Sequence, residues 1–259
     1  MKAFLTIIVM TSAVCGQSSL TPPEIGFVQD CRGALRPVRG LAGNFLVDRA
    51  GSPRVVSAAF SGSFGLVKSD SALAVIDKQG REITRVDAPR GPALLAFSAD
   101  GRPALAYFEQ SVSLVRWDGR EFQSVHLDAA ALKGESVVAI AASIPYVARF
   151  VVKREGELWE LDVRTDTGAL VSQMALPGIA APVLLLPSGD LVHANSRGFV
   201  IRDRDGSEKQ VVARLPQKFT LHQMGLAWVA VNDEVTGRLF ALSLRPGRER
   251  CYELPGARP

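Results

Sequence analysis

Short apolar runs, each ended by a glycine turn, recur down the chain. Ile25–Val28 precedes Gly33, Leu73–Ile76 precedes Gly80, Val112–Val115 precedes Gly119, Leu158–Leu161 precedes Gly168, Phe199–Ile201 precedes Gly206 and Leu239–Leu242 precedes Gly247. Runs this short, rich in β-branched and aromatic residues and bounded by turn residues, read as strands. The glycines are separated by 38 to 49 residues. The third unit is the clearest: Ala93–Phe97, a turn at Ser98–Arg102, Pro103–Phe108, Ser111–Val115, a turn at Trp117–Arg120, then Phe122–Leu127. Asp100-Gly101 and Asp118-Gly119 suit tight hairpins, because glycine takes positive φ freely and aspartate tolerates it. The fifth unit repeats the plan through Pro182–Leu186, Leu191–Ala194, Gly198–Ile201 and Gln210–Leu215.

Within a unit the early strands are nearly continuous apolar runs and the last alternates with charge. A four-stranded meander of this kind cannot bury both faces alone, and a period near 40 residues stacks such meanders radially. The pattern predicts an all-β, six-bladed β-propeller with its first strands around the axis. Complete blades are expected over Arg54–Val86, Ala93–Leu127, Ser136–Leu176, Pro182–Leu215 and Phe219–Leu254. The first is incomplete, a hairpin over Ile25–Val38 with a third strand at Asn44–Val47. Five blades with an N-terminal hairpin on the closure is the alternative. Leu127–Lys133 has room for one or two helical turns in a loop.

The stretch Phe97–Tyr107, with its Ser98-Ala99-Asp100-Gly101 turn and following strand, resembles the repeats of TolB-type and related propellers. The resemblance covers one repeat well and the others loosely, as in Leu186–Asp190. It implies the fold and assigns no functional residue.

The N-terminus changes the picture of where this domain works. Met1 and Lys2, an apolar run from Ala3 to about Val14, and small residues before Gln17 read as a signal peptide over 1–16, with the propeller over 17–259. Cleavage is expected after Ala13, Cys15 or Gly16; lipid attachment at Cys15 and a buried first strand are the alternatives. Export to the periplasm or the extracellular space follows from this reading. No internal run approaches the ~18 apolar residues of a membrane span.

Export makes the two remaining cysteines, Cys31 and Cys251, a disulfide candidate, with two unpaired thiols as the alternative. Their positions near the two ends of the ring would make the bond a covalent latch. Arg32, Arg36, Arg39, Arg248 and Arg250 would then gather at the closure, diluted by Glu249 and Glu253. The chain as a whole, 259 residues with 47% hydrophobic and 22% charged residues and a net charge of +4, is ordinary for a folded domain. The charge is scattered and lacks interleaved aromatics, which argues against nucleic acid.

No catalytic constellation stands out. His126, His193 and His222 fall on strands too dispersed for a zinc site. Asp203–Glu208 resembles a calcium loop but has Ile201 where a ligand is needed. Ser61–Gly65 has neither the lysine nor the helix of a phosphate loop. Asp233 with Glu234, and Glu155 with Glu157, are expected as solvated turn residues. Trp117, Trp159 and Trp228 are expected to pack between blades, with a sugar platform as the alternative. The expectation is therefore a monomeric, non-enzymatic binding scaffold for a protein or glycan partner, without metal or cofactor. An extracytoplasmic hydrolase or lyase working in the central channel is the alternative, which a polar channel including His222 would favour.

Overall fold

The computed structural model describes residues 22–30, 32–49, 54–127, 132, 135–143 and 146–255. They form six antiparallel sheets, one of three strands and five of four. Blade 1 comprises β1 (Glu24–Gln29), β2 (Leu35–Leu41) and β3 (Asn44–Val47). Blade 2 comprises β4 (Ser57–Phe60), β5 (Phe64–Lys68), β6 (Ala72–Asp77) and β7 (Glu82–Asp87). Blade 3 comprises β8 (Leu94–Phe97), β9 (Ala104–Phe108), β10 (Ser113–Trp117) and β11 (Phe122–Val125). Blade 4 comprises β12 (Ser136–Ser143), β13 (Val147–Arg154), β14 (Glu157–Arg164) and β15 (Leu170–Ala175). Blade 5 comprises β16 (Leu184–Leu185), β17 (Leu191–Asn195), β18 (Gly198–Arg202) and β19 (Glu208–Val212). Blade 6 comprises β20 (Phe219–Gly225), β21 (Trp228–Asp233), β22 (Leu239–Ser243) and β23 (Cys251–Glu253). The predicted six-bladed propeller, its incomplete first blade and the third strand at Asn44–Val47 are all present.

Six hydrophobic clusters hold the ring, one for each interface between neighbouring blades. Leu105, Tyr107 and Leu114 of blade 3 meet Ile140, Phe150 and Leu161 of blade 4 in one of them. This is why the second and third strands read as unbroken apolar runs: both of their faces are covered by neighbouring blades. Fourth strands have a wet edge, and β15 is correspondingly exposed along nearly its whole length.

The inner strands β4, β8, β12, β16 and β20 stand around the axis, and β4 lies directly beside β20. Blade 1 therefore lacks its inner strand, which corrects the expectation that every first strand lines the centre. β1 occupies the second position and runs antiparallel to β4. Phe27 stacks on Phe60 at 4.7 Å, and the Gln29 amide donates to the Val55 carbonyl at 2.7 Å, just ahead of β4. Its other end is pressed onto β20 so closely that a Cβ on Gly26 (φ +146°) would lie 1.7 Å from the Met224 carbonyl oxygen. Only glycine fits there. We call the face on which the inner strands begin the upper face, and its opposite the lower face.

Turn chemistry fixes the hairpins. The Asp118 carboxylate accepts from the backbone N–H groups of Arg120 and Glu121 at 2.8 and 3.0 Å. The Ser98 hydroxyl sits between the Asp100 carboxylate and the Pro103 carbonyl at 2.5 and 2.9 Å, closing the TolB-like turn. Asp233 is buried and accepts from Val235 N, Thr236 N and the Thr236 hydroxyl. It is a turn cap, which corrects its reading as a solvated carboxylate; Glu155 and Glu157 are exposed as expected.

Candidate functional site

The five inner strands surround a cavity of about 420 Å³ on the axis. Each contributes through its first half or the residues just ahead of it. Val56–Ala59, Pro92–Leu95, Val138–Ile140, Ala181–Leu184 and Thr220–Gln223 form the wall. Because the inner strands begin at the upper face, the cavity opens there, and Val56, Pro92 and Ala181 stand exposed at its mouth. Farther from the axis, upper-face turns and strand ends leave other aliphatics in water: Val112 is 42%, Val235 63% and Val212, at the end of the outermost strand β19, 82% exposed.

Polar groups enter the wall mainly from blade 6. Thr220 and His222 alternate with buried Leu221, as a strand requires, and the His222 Nε2 lies 3.0 Å from Thr220 Oγ1. The protein crowds this imidazole and lowers its pKa, so it is neutral at pH 7. Ser57 turns its hydroxyl to the Ala93 amide at 3.1 Å and stitches β4 to the approach to β8. Gln223, 6% exposed, has an amide nitrogen with no partner among the described residues. The described wall carries no Lys, Arg, Asp or Glu, and His222 is its single titratable side chain.

A second cavity of about 430 Å³ lies between blades 4 and 5. Its floor is charged. The Arg149 guanidinium, 4% exposed, lies 2.9 Å from a carboxylate oxygen of each of Glu160 and Asp162, and donates to the Gly189 carbonyl at 3.3 Å. Ser172 donates to Asp162 at 3.0 Å. Burial raises the Glu160 pKa, against the pull of Arg149. Arg149 escaped the sequence reading, although an arginine inside the apolar run Val147–Val152 was its visible signal. Buried Lys68 was also missed; its ammonium caps the β5–β6 turn through the Ser69 and Asp70 carbonyls at 2.5 and 2.8 Å.

The remaining sequence candidates scatter. His126 is exposed beyond β11, His193 is buried in β17 and His222 faces the axis, so the structure does not bring them together. No group of three or more metal-ligating side chains occurs among the described residues. Asp203–Glu208 is a hairpin turn, with Gly206 N donating to the Asp203 carbonyl at 2.9 Å. Ser61–Ser63 form the β4–β5 turn, and Phe64 and Gly65 begin β5. Trp117 and Trp228 are buried between blades, and Trp159 lies beneath Arg154, its ring centroid 5.2 Å from the guanidinium carbon.

Of the latch pair, Cys31 lies outside the described residues. Cys251 begins β23 and packs into the cluster between blades 5 and 6, where burial raises its thiol pKa to about 11. Its neighbour Tyr252 faces blade 1 and meets Phe45 at 5.6 Å. Arg39 is engaged by Glu24 and Asp48, and Glu249 by Lys209 of blade 5 at 2.7 Å, so the charges of this region are partly neutralised.

Neither a protein-family model nor a curated protein sequence matches the chain. Solved structures do. A chain of a nidogen/laminin complex is similar over 87% of this chain and 91% of its own, with 13% identity and a TM-score of 0.57. TolB from Acinetobacter baumannii is similar over 91% of this chain and 64% of its own, with 16% identity and a TM-score of 0.55. At such identities the similarity carries the fold alone. What this chain shares with these proteins is the propeller.

Proposed function

We propose that the protein is an exported, non-enzymatic propeller that binds a partner with its upper face. The observation that carries this is the axial cavity: apolar, open at one face and with Val56, Pro92 and Ala181 exposed at its mouth. Exposed apolar groups gathered around a mouth mark an interaction site more than single scattered ones do. The partner is a protein rather than a glycan, since the three tryptophans that a sugar platform would use are packed between blades or under an arginine. A hydrolase or lyase needs an acid and a base within reach of one bond. The described wall of the channel offers one neutral imidazole and no carboxylate to pair with it. Export rests on the signal-like pattern of residues 1–16.

The test is photo-crosslinking in the producing cell, with a photoreactive residue placed singly at Val56, Val235, Leu41 or Leu226. The last two are exposed on the lower face. One protein adduct from the upper positions and none from the lower ones is expected. Adducts from Leu41 or Leu226 alone would overturn the assignment of the face.

A further inference from the structure

We propose that the axial cavity is itself a ligand site, taking one small uncharged molecule with an apolar body and a single hydroxyl or carbonyl group set against Thr220 and His222. The inference rests on the reading of the upper face as the binding face, and adds a second, smaller occupant beneath the partner.

Three observations converge on this class of ligand. The volume, about 420 Å³, falls in the range of roughly 300–1,000 Å³ typical of small-molecule sites. Leu94, Leu95, Val138 and Leu184 line the wall half-buried, so their uncovered area faces the void and is available to an apolar body. Side-chain polarity is confined to two strands: Ser57 of β4 accepts from the Ala93 amide, and on β20 Nε2 of His222 is engaged by Thr220, which leaves Nδ1 as the ring's remaining polar atom for a ligand hydroxyl or carbonyl. An apolar wall with few, convergent polar groups is how such sites fix orientation.

Charge decides against acids and amines. A carboxylate entering this cavity would leave water without meeting a cationic side chain among the described residues, and burying an unpaired ion costs several kcal/mol. His222 offers little compensation, because the same crowding that surrounds it disfavours its protonated form. At about 1.4 kcal/mol for each tenfold, the penalty makes a carboxylic acid bind roughly 100-fold more weakly than the matching alcohol.

The experiment uses the full chain after export and the neutral fluorophore N-phenyl-1-naphthylamine at pH 8, displaced by 1-decanol or by decanoate. Expected are one site per chain, displacement by decanol, and roughly 100-fold weaker displacement by decanoate. Val138→Trp and Leu184→Trp, from two different blades, fill the cavity and should each weaken probe binding more than about tenfold. His222→Phe keeps the ring and removes its nitrogens; it should weaken decanol about fivefold. The proposal is overturned by absent probe binding, by binding unchanged in the folded tryptophan variants, or by decanoate matching decanol. Should neither tryptophan variant fold, unchanged decanol affinity in His222→Phe overturns it. Failure here with the upper-face crosslinks intact removes the ligand and leaves the partner surface standing.

Discussion

The axial cavity and the groove between blades 4 and 5 have nearly the same volume, about 420 and 430 Å³, and opposite chemistry. In the groove, Arg149, Glu160, Asp162 and Ser172 satisfy one another. On the axis, aliphatic side chains and a neutral imidazole face a void. Volume alone does not make a site; what matters is whether the lining still has interactions to offer. The buried floor of the groove is therefore assigned to stability, and the axial cavity to binding an uncharged molecule.

Removing Arg149 should produce the largest effect. Arg149→Met leaves two half-buried carboxylates without their cation and should cost about 3 kcal/mol, read as a fall in denaturation midpoint. Probe binding on the axis should be unchanged. Loss of binding with intact folding would couple the two cavities and remove the distinction between them. By contrast, Val138→Trp and Leu184→Trp enter existing space and should cost less than about 1.5 kcal/mol. A cost above that of Arg149→Met would mean that the cavity walls cannot accept a body of this size.

Acid sharpens the same contrast. Burial lowers the pKa of both His193 and His222 below the ordinary 6.5. The unfolded chain then takes up protons first, so their contribution to stability is complete above about pH 6.5 and is lost as pH falls through their folded values. Asp118, held low by backbone N–H donors from Glu121 and Arg120, adds a second loss only below about pH 4, its ordinary range. A stability profile should fall in two steps. Replacing His222 by Phe should shrink the first step, and Asp118→Asn the second, by about 1 kcal/mol or less because that turn is exposed.

The blade plan was legible because each turn carries its own chemistry and each middle strand is covered on both faces, which writes apolar runs into the sequence. The incompleteness of blade 1 was also legible, from the lone strand at Asn44–Val47 after the Ile25–Val38 hairpin. Which strand was missing was not: β1 reads as a first strand, and only its antiparallel placement against β4 puts it in the second position. The axial site was visible only as the residue His222. Its environment is assembled from the starts of five strands up to 167 positions apart, and no local pattern records that. Asp233 was misread for a related reason, since a capping carboxylate and a solvated one have the same sequence signature.

The smallest expected effect concerns the latch. Cys251 packs toward blade 5 with its thiol pKa near 11, so a free thiol there should alkylate slowly at pH 8 and quickly in denaturant. The Cys31–Cys251 disulfide remains the proposal for the exported form. Non-reducing peptide mapping should recover the joined peptide; two free thiols would leave closure to the packing of Tyr252 on Phe45.

The most direct measurement is a crystal structure of the exported protein soaked with 1-decanol. The account predicts a single chain-shaped density on the axis, its hydroxyl against Thr220 and His222, with no decanol in the groove between blades 4 and 5. Density in that groove with an empty axis would contradict it.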